Sequence, residues 1–166
     1  MRLPPYRQFP LLSNDKISLR QIVTSDLEDL LEISVYDGVK ATTLLDAAEM
    51  QIQINQDYTN GNSIHWGITD NLTHKILGTC GYYRGLNTGS GELGCVLLSQ
   101  YRGQGYMTAA LSLAINFGLH HIGLTRISAI TTQPNRKAIS LLERLCFEKI
   151  SELDDNKIEF EFRQPG

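Results

Sequence analysis

Residues 17–20 read Ile-Ser-Leu-Arg, apolar and polar by turns, as in a strand with one buried face; the same strand is expected to extend to 22. Ser25-Asp26-Leu27-Glu28 has the form of a capping box, and Leu27, Leu30 and Leu31 fall on one face of the helix it would open. Asp37-Gly38 closes that segment, Asp46-Ala47-Ala48-Glu49 looks like a second helix start running to about 58, and Asn60-Gly61 marks a turn. Residues 64–69 and 75–83 read as two strands joined by Asp70-Asn71-Leu72-Thr73. After the glycine-rich turn at 86–91, the run 92–98 holds Val96, Leu97 and Leu98 in succession, a buried strand ended by a breaker. Met107, Ala110, Leu111, Ala114 and Ile115 lie on one helical face, so a helix spans 105–119. A strand at 126–131, a helix from Asn135 to about 145, and a hairpin of 147–153 with 158–163 complete the chain. The expected order is β-αα-βββ-α-β-α-ββ, an α/β (α+β) arrangement of about seven strands and four helices.

Between the strand at 92–98 and the helix at 105–119 stands Gln100-Tyr101-Arg102-Gly103-Gln104-Gly105. Glycines there let the backbone approach a ligand and adopt positive φ. The first N–H groups of a helix have no partner within it and sit at the positive end of its dipole, which suits phosphate oxygens. A P-loop would need Lys-Ser/Thr after the last glycine, where this chain has Tyr106 and Met107. A dinucleotide fingerprint would need a small third residue at position 108, which is Thr108. The spacing Q/R-x-x-G-x-G/A is met in full by Gln100, Gly103 and Gly105.

That last pattern is the pyrophosphate loop of the GNAT superfamily of N-acetyltransferases, and residues 92–147 resemble the core of that superfamily. Tyr101-Arg102-Gly103-Gln104-Gly105-Tyr106-Met107-Thr108-Ala109-Ala110-Leu111 looks most like the RimJ/RimL-type ribosomal-protein N-terminal acetyltransferases. Phe9-Pro10, Ile17 to Arg20 and Ile76 to Tyr82 resemble the opening and middle strands of that group, so the resemblance covers nearly the whole chain. It implies a mixed sheet with two splayed parallel strands, 92–98 and 126–131, and acetyl-CoA as co-substrate between them. By the same resemblance, the backbone of Val96 and Leu98, flanking Leu97, would hold the pantetheine arm. The amides from Arg102 through Gly103, Gln104, Gly105 and Tyr106 to Met107 would hold the pyrophosphate, with Thr108 following in the first turn. Glu92, opening the central strand, matches the place of an acidic residue at the mouth of the acceptor site and is the candidate general base. Asn135 is an N-cap compatible with a CoA contact. Two positions depart from the pattern: Leu142 stands where many members have a tyrosine acid, and Ala138 where ribosomal-protein enzymes have a serine.

Composition narrows the reading without choosing an acceptor. The 166 residues suit one domain, 1–166, with a sizeable core; 42% are hydrophobic and 20% charged. A net charge of −3 argues against generic nucleic-acid binding. The N-terminus, Met1-Arg2-Leu3-Pro4-Pro5, lacks the apolar stretch of a signal peptide, and no run is long enough to span a membrane. Cys80, Cys95 and Cys146 read as reduced thiols of a cytoplasmic protein with no metal pattern. The expected partner is an amine, from a protein N-terminus or a small molecule, taken by a monomer or homodimer; the alternative is a CoA-binding domain without turnover. His65 and Trp66 are expected beside the acceptor groove, and one of Tyr82 and Tyr83 in the core. Acidic residues of the last hairpin and of the helices after Asp37 suggest an acidic rim favouring a cationic acceptor.

Overall fold

The computed structural model describes all 166 residues, and one mixed sheet runs through them. Its strands are β1 (Leu12–Ser13), β2 (Ile17–Arg20), β5 (Ile64–Asp70), β6 (Ile76–Tyr82), β7 (Ser90–Leu97), β8 (Arg126–Thr132), β9 (Phe147–Glu152) and β10 (Lys157–Phe162). They lie in the order β1-β2-β5-β6-β7-β8-β10-β9. All pairs are antiparallel except β7 with β8. A separate hairpin joins β3 (Val35–Tyr36) to β4 (Val39–Lys40). The helices are α1 (Leu27–Leu30), α2 (Leu44–Thr59), α3 (Tyr106–Phe117) and α4 (Arg136–Arg144).

The expected seven strands are all present; the eighth, β1, is two residues long and leaves no periodicity to read. The first helix is shorter than its sequence suggests. It is one α-turn between two 3₁₀ turns, and its cap is the backbone of Val23 rather than Ser25. Asp26 explains this. Its carboxylate accepts two hydrogen bonds from Arg20 (2.7 and 2.8 Å) and one from the Val23 N–H (2.8 Å). Burial would raise the Asp26 carboxyl, but these bonds outweigh it and hold the group below its ordinary 3.8. The second helix also starts earlier than expected. Thr43 is its cap and Asp46 the reciprocal partner three residues on, the two halves of a capping box.

The main core lies on the α3 face of the sheet, where Trp66, Ile68, Tyr82, Ile122 and Phe160 are almost without exposure. A polar atom buried here needs a partner. The Trp66 Nε1–H donates to the Pro10 carbonyl (3.0 Å), and the Tyr82 hydroxyl to the Ala114 carbonyl (2.8 Å) inside α3. Gly91 and Gly118 make room for the Tyr82 side chain, since a Cβ on either would collide with its atoms. The helix ends there, and Gly118–Ile122 continues as a π-helical turn. On the opposite face a smaller cluster of Ile22, Leu27, Leu30 and Ile76 seats α1.

In α4, Leu141 and Leu142 are buried in the main core while Arg136, Lys137 and Ser140 face outward. We predict that Leu142→Ala lowers unfolding stability by about 2–5 kcal/mol, as large-to-small core changes do. Denaturant unfolding checks this, and an unchanged midpoint would remove Leu142 from the core.

Candidate active site

A β-bulge beside β7 shapes the site. The Tyr83 N–H donates to the Glu92 carbonyl (2.9 Å) while the Glu92 N–H donates to the Arg84 carbonyl (3.1 Å), so two residues face one. Such an insertion increases local twist. At the same level β7 begins to leave β8. Their parallel register holds for Ser90 with Arg126, Gly91 with Ile127 and Glu92 with Ser128, and then stops. Beyond it, β7 pairs only with β6 and β8 only with β10. Val96 and Ile130, on one face of the two diverging strands, are left 38% and 40% exposed.

The free edge of β7 belongs to residues one position away from those expected. Peptide groups in an antiparallel pair alternate in direction. The bonds from Tyr83 N to Glu92 O and from Leu98 N to Leu77 O anchor that alternation at both ends. The peptides of Glu92, Gly94, Val96 and Leu98 therefore point at β6. Those of Cys95 and Leu97 point into the gap between β7 and β8. The expectation for Val96 and Leu98 is corrected accordingly: Val96 offers the gap region its side chain, and Leu97 and Leu98 bury theirs. The Leu97 carbonyl already accepts a bond from the Arg102 Nε–H (3.2 Å).

Past the strand, Gly103 and Gly105 adopt φ of +73° and +81°, the left-handed region that glycine enters without strain. The first helical bond of α3 is Ala109 N to Gly105 O (3.2 Å), and the N–H groups of residues 103–108 have no backbone acceptor. The loop is nevertheless held. The Gln104 Nε2 donates to the Gln100 carbonyl (3.0 Å), Lys16 Nζ donates to the Gln104 carbonyl, and the Tyr106 hydroxyl donates to Asp70 (2.9 Å). Lys16 also sits 4.6 Å from the centre of the Tyr106 ring. A Cβ on Gly103 would meet nothing within 4 Å, so the loop presents open space on that side. Asn135 caps α4 by accepting from the Ala138 N–H (3.2 Å). Met107 and Thr108 are half-buried in the first turn of α3.

On the face opposite the main core is a cavity of about 920 Å³ between the sheet, α1, α2 and the β3–β4 hairpin. His65, Thr79, Tyr83 and Val96 form its floor, with Arg84 and Arg102 on the side toward β7. The Tyr83 ring lies over Gly94, where a Cβ would collide with it, and 4.9 Å from the His65 ring. Burial, followed by the charges of Cys80, Cys95 and Glu92, pushes the Tyr83 phenol far above its ordinary 10, so it stays a donor. Burial lowers the His65 imidazole from 6.5 to about 4, against a weaker pull upward from Asp57. Asp57 accepts from the Tyr36 hydroxyl (2.7 Å) across the cavity wall. Glu92, on the same strand face as Gly94 and Val96, is ion-paired with Arg84 (3.1 Å) and mostly buried.

Sequence reasoning brought Glu92, the 100–108 loop and His65 to this region. It missed Lys16, Tyr36 and Arg84, each reaching the site from a turn, a short hairpin or a bulge that no periodicity announces, while Asp57 of the expected acidic rim does line the cavity. Trp66 is corrected to the core; of the two tyrosines, Tyr82 is the expected core residue and Tyr83 lies in the cavity. The acidic rim is also weaker than its sequence suggests. In the closing hairpin Glu148, Glu152, Glu159 and Glu161 are ion-paired with Arg163, Lys149 and Arg126. In the cavity, Glu32, Asp37 and Asp57 stand against Lys40, Arg84 and Arg102. His121 stacks on Phe117, with ring centres 4.6 Å apart, and packs the end of the helix rather than the site.

Residues 16–148 match the family model described as acetyltransferase (GNAT) domain. A Bacillus subtilis (strain 168) protein described as uncharacterized N-acetyltransferase YoaA is 27% identical over 149 residues, 85% of this chain and 84% of its own. Among solved structures, the ribosomal-protein-S5-alanine acetyltransferase of Vibrio fischeri superposes with a TM-score of 0.77 at 20% identity, covering 92% of this chain and 95% of that one. A mutant form of the SpeG spermidine N-acetyltransferase of Vibrio cholerae gives 0.76 at 15%, covering 90% and 94%. These structural likenesses establish the fold.

For the cavity itself, the expected outcome is a neutral His65 throughout the physiological range. Its NMR titration should show a midpoint near pH 4, with no change between pH 6 and 8. Because the folded value lies below the unfolded 6.5, the unfolded chain binds the extra proton first, and stability falls as pH drops from 6.5 toward 4. A midpoint near 6.5 would mean that His65 is open to water.

Proposed function

Since the chain belongs to the GNAT acetyltransferase family, we propose that it transfers the acetyl group of acetyl-CoA to a primary amine held in the cavity above His65 and Tyr83. The observation that carries this reading is the run of unpartnered N–H groups at residues 103–108, directly after the freed edge of β7. Phosphate oxygens of the co-substrate would take those donors. The Cys95 peptide and the Leu97 N–H, which face the gap, would bond the pantetheine arm as an added strand does. Arg102, Gln100 and Asn135 would border it. The acetyl group would then lie near Glu92, where the β7–β8 pairing ends and the cavity opens.

The attacking amine must be neutral to use its lone pair. Glu92 is the proposed base, taking the ammonium proton directly or through a water. The amine nitrogen bonds to the carbonyl carbon, an oxyanion forms, and backbone N–H groups lower its energy. The carbon–sulfur bond then breaks, the nitrogen sheds its second proton to water, and the CoA thiolate takes a proton. Buried Leu142 offers none, so solvent supplies it. The similarity to a ribosomal-protein acetyltransferase and to a spermidine acetyltransferase supports two acceptor classes alike, a protein N-terminus and a small-molecule amine. We propose a cytoplasmic enzyme of one domain, 1–166, acting as monomer or homodimer; no helix is long and apolar enough to cross a membrane.

Acetyl-CoA at about 100 times its Kd should stabilise the protein by roughly 2.7 kcal/mol. Gly103→Val should abolish that shift, because valine resists the +73° φ and its branches enter the open side of the loop. A retained shift would displace the phosphate site. Glu92→Gln should lower kcat by about 10²–10⁴ with acetyl-CoA affinity nearly intact. Near-normal turnover at pH 7 in an amine panel would remove Glu92 as the base. Binding of acetyl-CoA without release of free CoA thiol in the presence of any amine would favour a non-catalytic CoA-binding domain.

A further inference from the structure

The register of β6 and β7 sets Cys80 directly opposite Cys95. The pair falls between the hydrogen-bonded positions 79–96 and 81–94, so it is a non-hydrogen-bonded pair. At such positions the Cα atoms are about 4.5 Å apart, with both side chains on one face. A disulfide spans Cα separations of about 4.4–6.8 Å. Both cysteines are free thiols; Cys80 is fully buried and Cys95 is half-buried, packed against the main core. A hydrogen bond with Cys80, more than burial, pushes the Cys95 thiol well above its ordinary 9.0. The two side chains therefore face each other inside the sheet that carries the proposed co-substrate groove.

We propose that Cys80 and Cys95 are a modification site, forming a reversible cross-strand disulfide with a small-molecule disulfide as oxidant and thereby closing the groove. The Cys95 sulfur, once deprotonated, attacks one sulfur of the reagent and expels one thiol. The Cys80 sulfur then attacks Cys95 and expels the second. One protein S–S bond forms, one reagent S–S bond breaks, and the two cysteine protons leave on two thiols, so no further reactant is needed. The high thiol pKa of Cys95 makes this slow. A pantetheine arm bonded to the Cys95 peptide would hold β7 in place and slow it further.

The consequence for binding follows from geometry. Disulfides favour Cα separations of about 5.5–6 Å, more than the native pair provides. Oxidation therefore pushes β7 away from β6 at Cys95, toward the gap. The Cys95 peptide and the Leu97 N–H, which the proposed function assigns to the pantetheine arm, are re-aimed. This part of the inference rests on that assignment.

The test uses the full chain carrying Cys146→Ser, because Cys146 is exposed and would consume reagent. The protein is incubated with oxidised glutathione, free thiols are alkylated, and peptides are mapped by mass. The expected product links the Cys80 and Cys95 peptides and is lighter by two hydrogens. Its affinity for acetyl-CoA, measured by calorimetry, should fall about tenfold or more and return after dithiothreitol. Bound acetyl-CoA should slow its formation, and Cys80→Ala should carry at most a glutathione adduct on Cys95. Both thiols still alkylatable after prolonged exposure, a stable adduct on Cys95 with Cys80 present, or a linked protein of unchanged affinity would each overturn the proposal. Reduced protein that fails to bind acetyl-CoA would instead overturn the proposed function, since the mass map reads the link independently.

Discussion

The site depends on one interruption of hydrogen bonding. Two parallel strands pair through Glu92 and Ser128 and then separate, each kept in place by its antiparallel neighbour on the far side. A sheet usually satisfies its peptide groups in pairs, and leaving several unpaired inside a fold is costly. Here the unpaired groups line a gap reached from outside, with the bulge at Tyr83 and Arg84 turning the strand at the same level. The bulge also sets the chemistry of the cavity. It puts Arg84 against Glu92 and turns Tyr83 over the space that Gly94 leaves.

The order of elements and the phosphate loop could be read from the sequence because both are local. Glycine at 103 and 105 and the apolar spacing after Met107 need only neighbouring residues to make their meaning clear. Peptide direction along β7 was not readable in that way. It depends on which β6 residue faces each position, and one step of register exchanges Val96 and Leu98 for Cys95 and Leu97. The early stop of α1 had a similar cause. Ser25 and Glu28 form an acceptable cap on paper, but Asp26 is drawn to Arg20 on a neighbouring strand, and a tertiary ion pair decides the local geometry.

Charge follows the same division. A count of carboxylates makes the C-terminal hairpin look strongly acidic, yet Arg126 reaches both Glu159 and Glu161, and Arg163 pairs with Glu148 and Glu161. Most of these partners face each other across strands, where sequence separation hides them. The cavity, in contrast, is lined by three carboxylates and three cations, with a neutral imidazole and a protonated phenol on its floor. Such a lining can orient an acceptor that carries more than one kind of polar group.

Tyr106, Asp70, Lys16 and Gln104 tie the glycine loop to two strand ends far away in sequence. A loop with two glycines in the left-handed region would otherwise wander among many backbone states when free. Ordering it during folding moves the entropic loss away from ligand association, where it would otherwise weaken affinity. Loosening these ties should leave every donor of the loop in place, while a bound anion would first have to freeze it. Its flexibility, rather than its chemistry, would then limit how tightly the chain holds a phosphate.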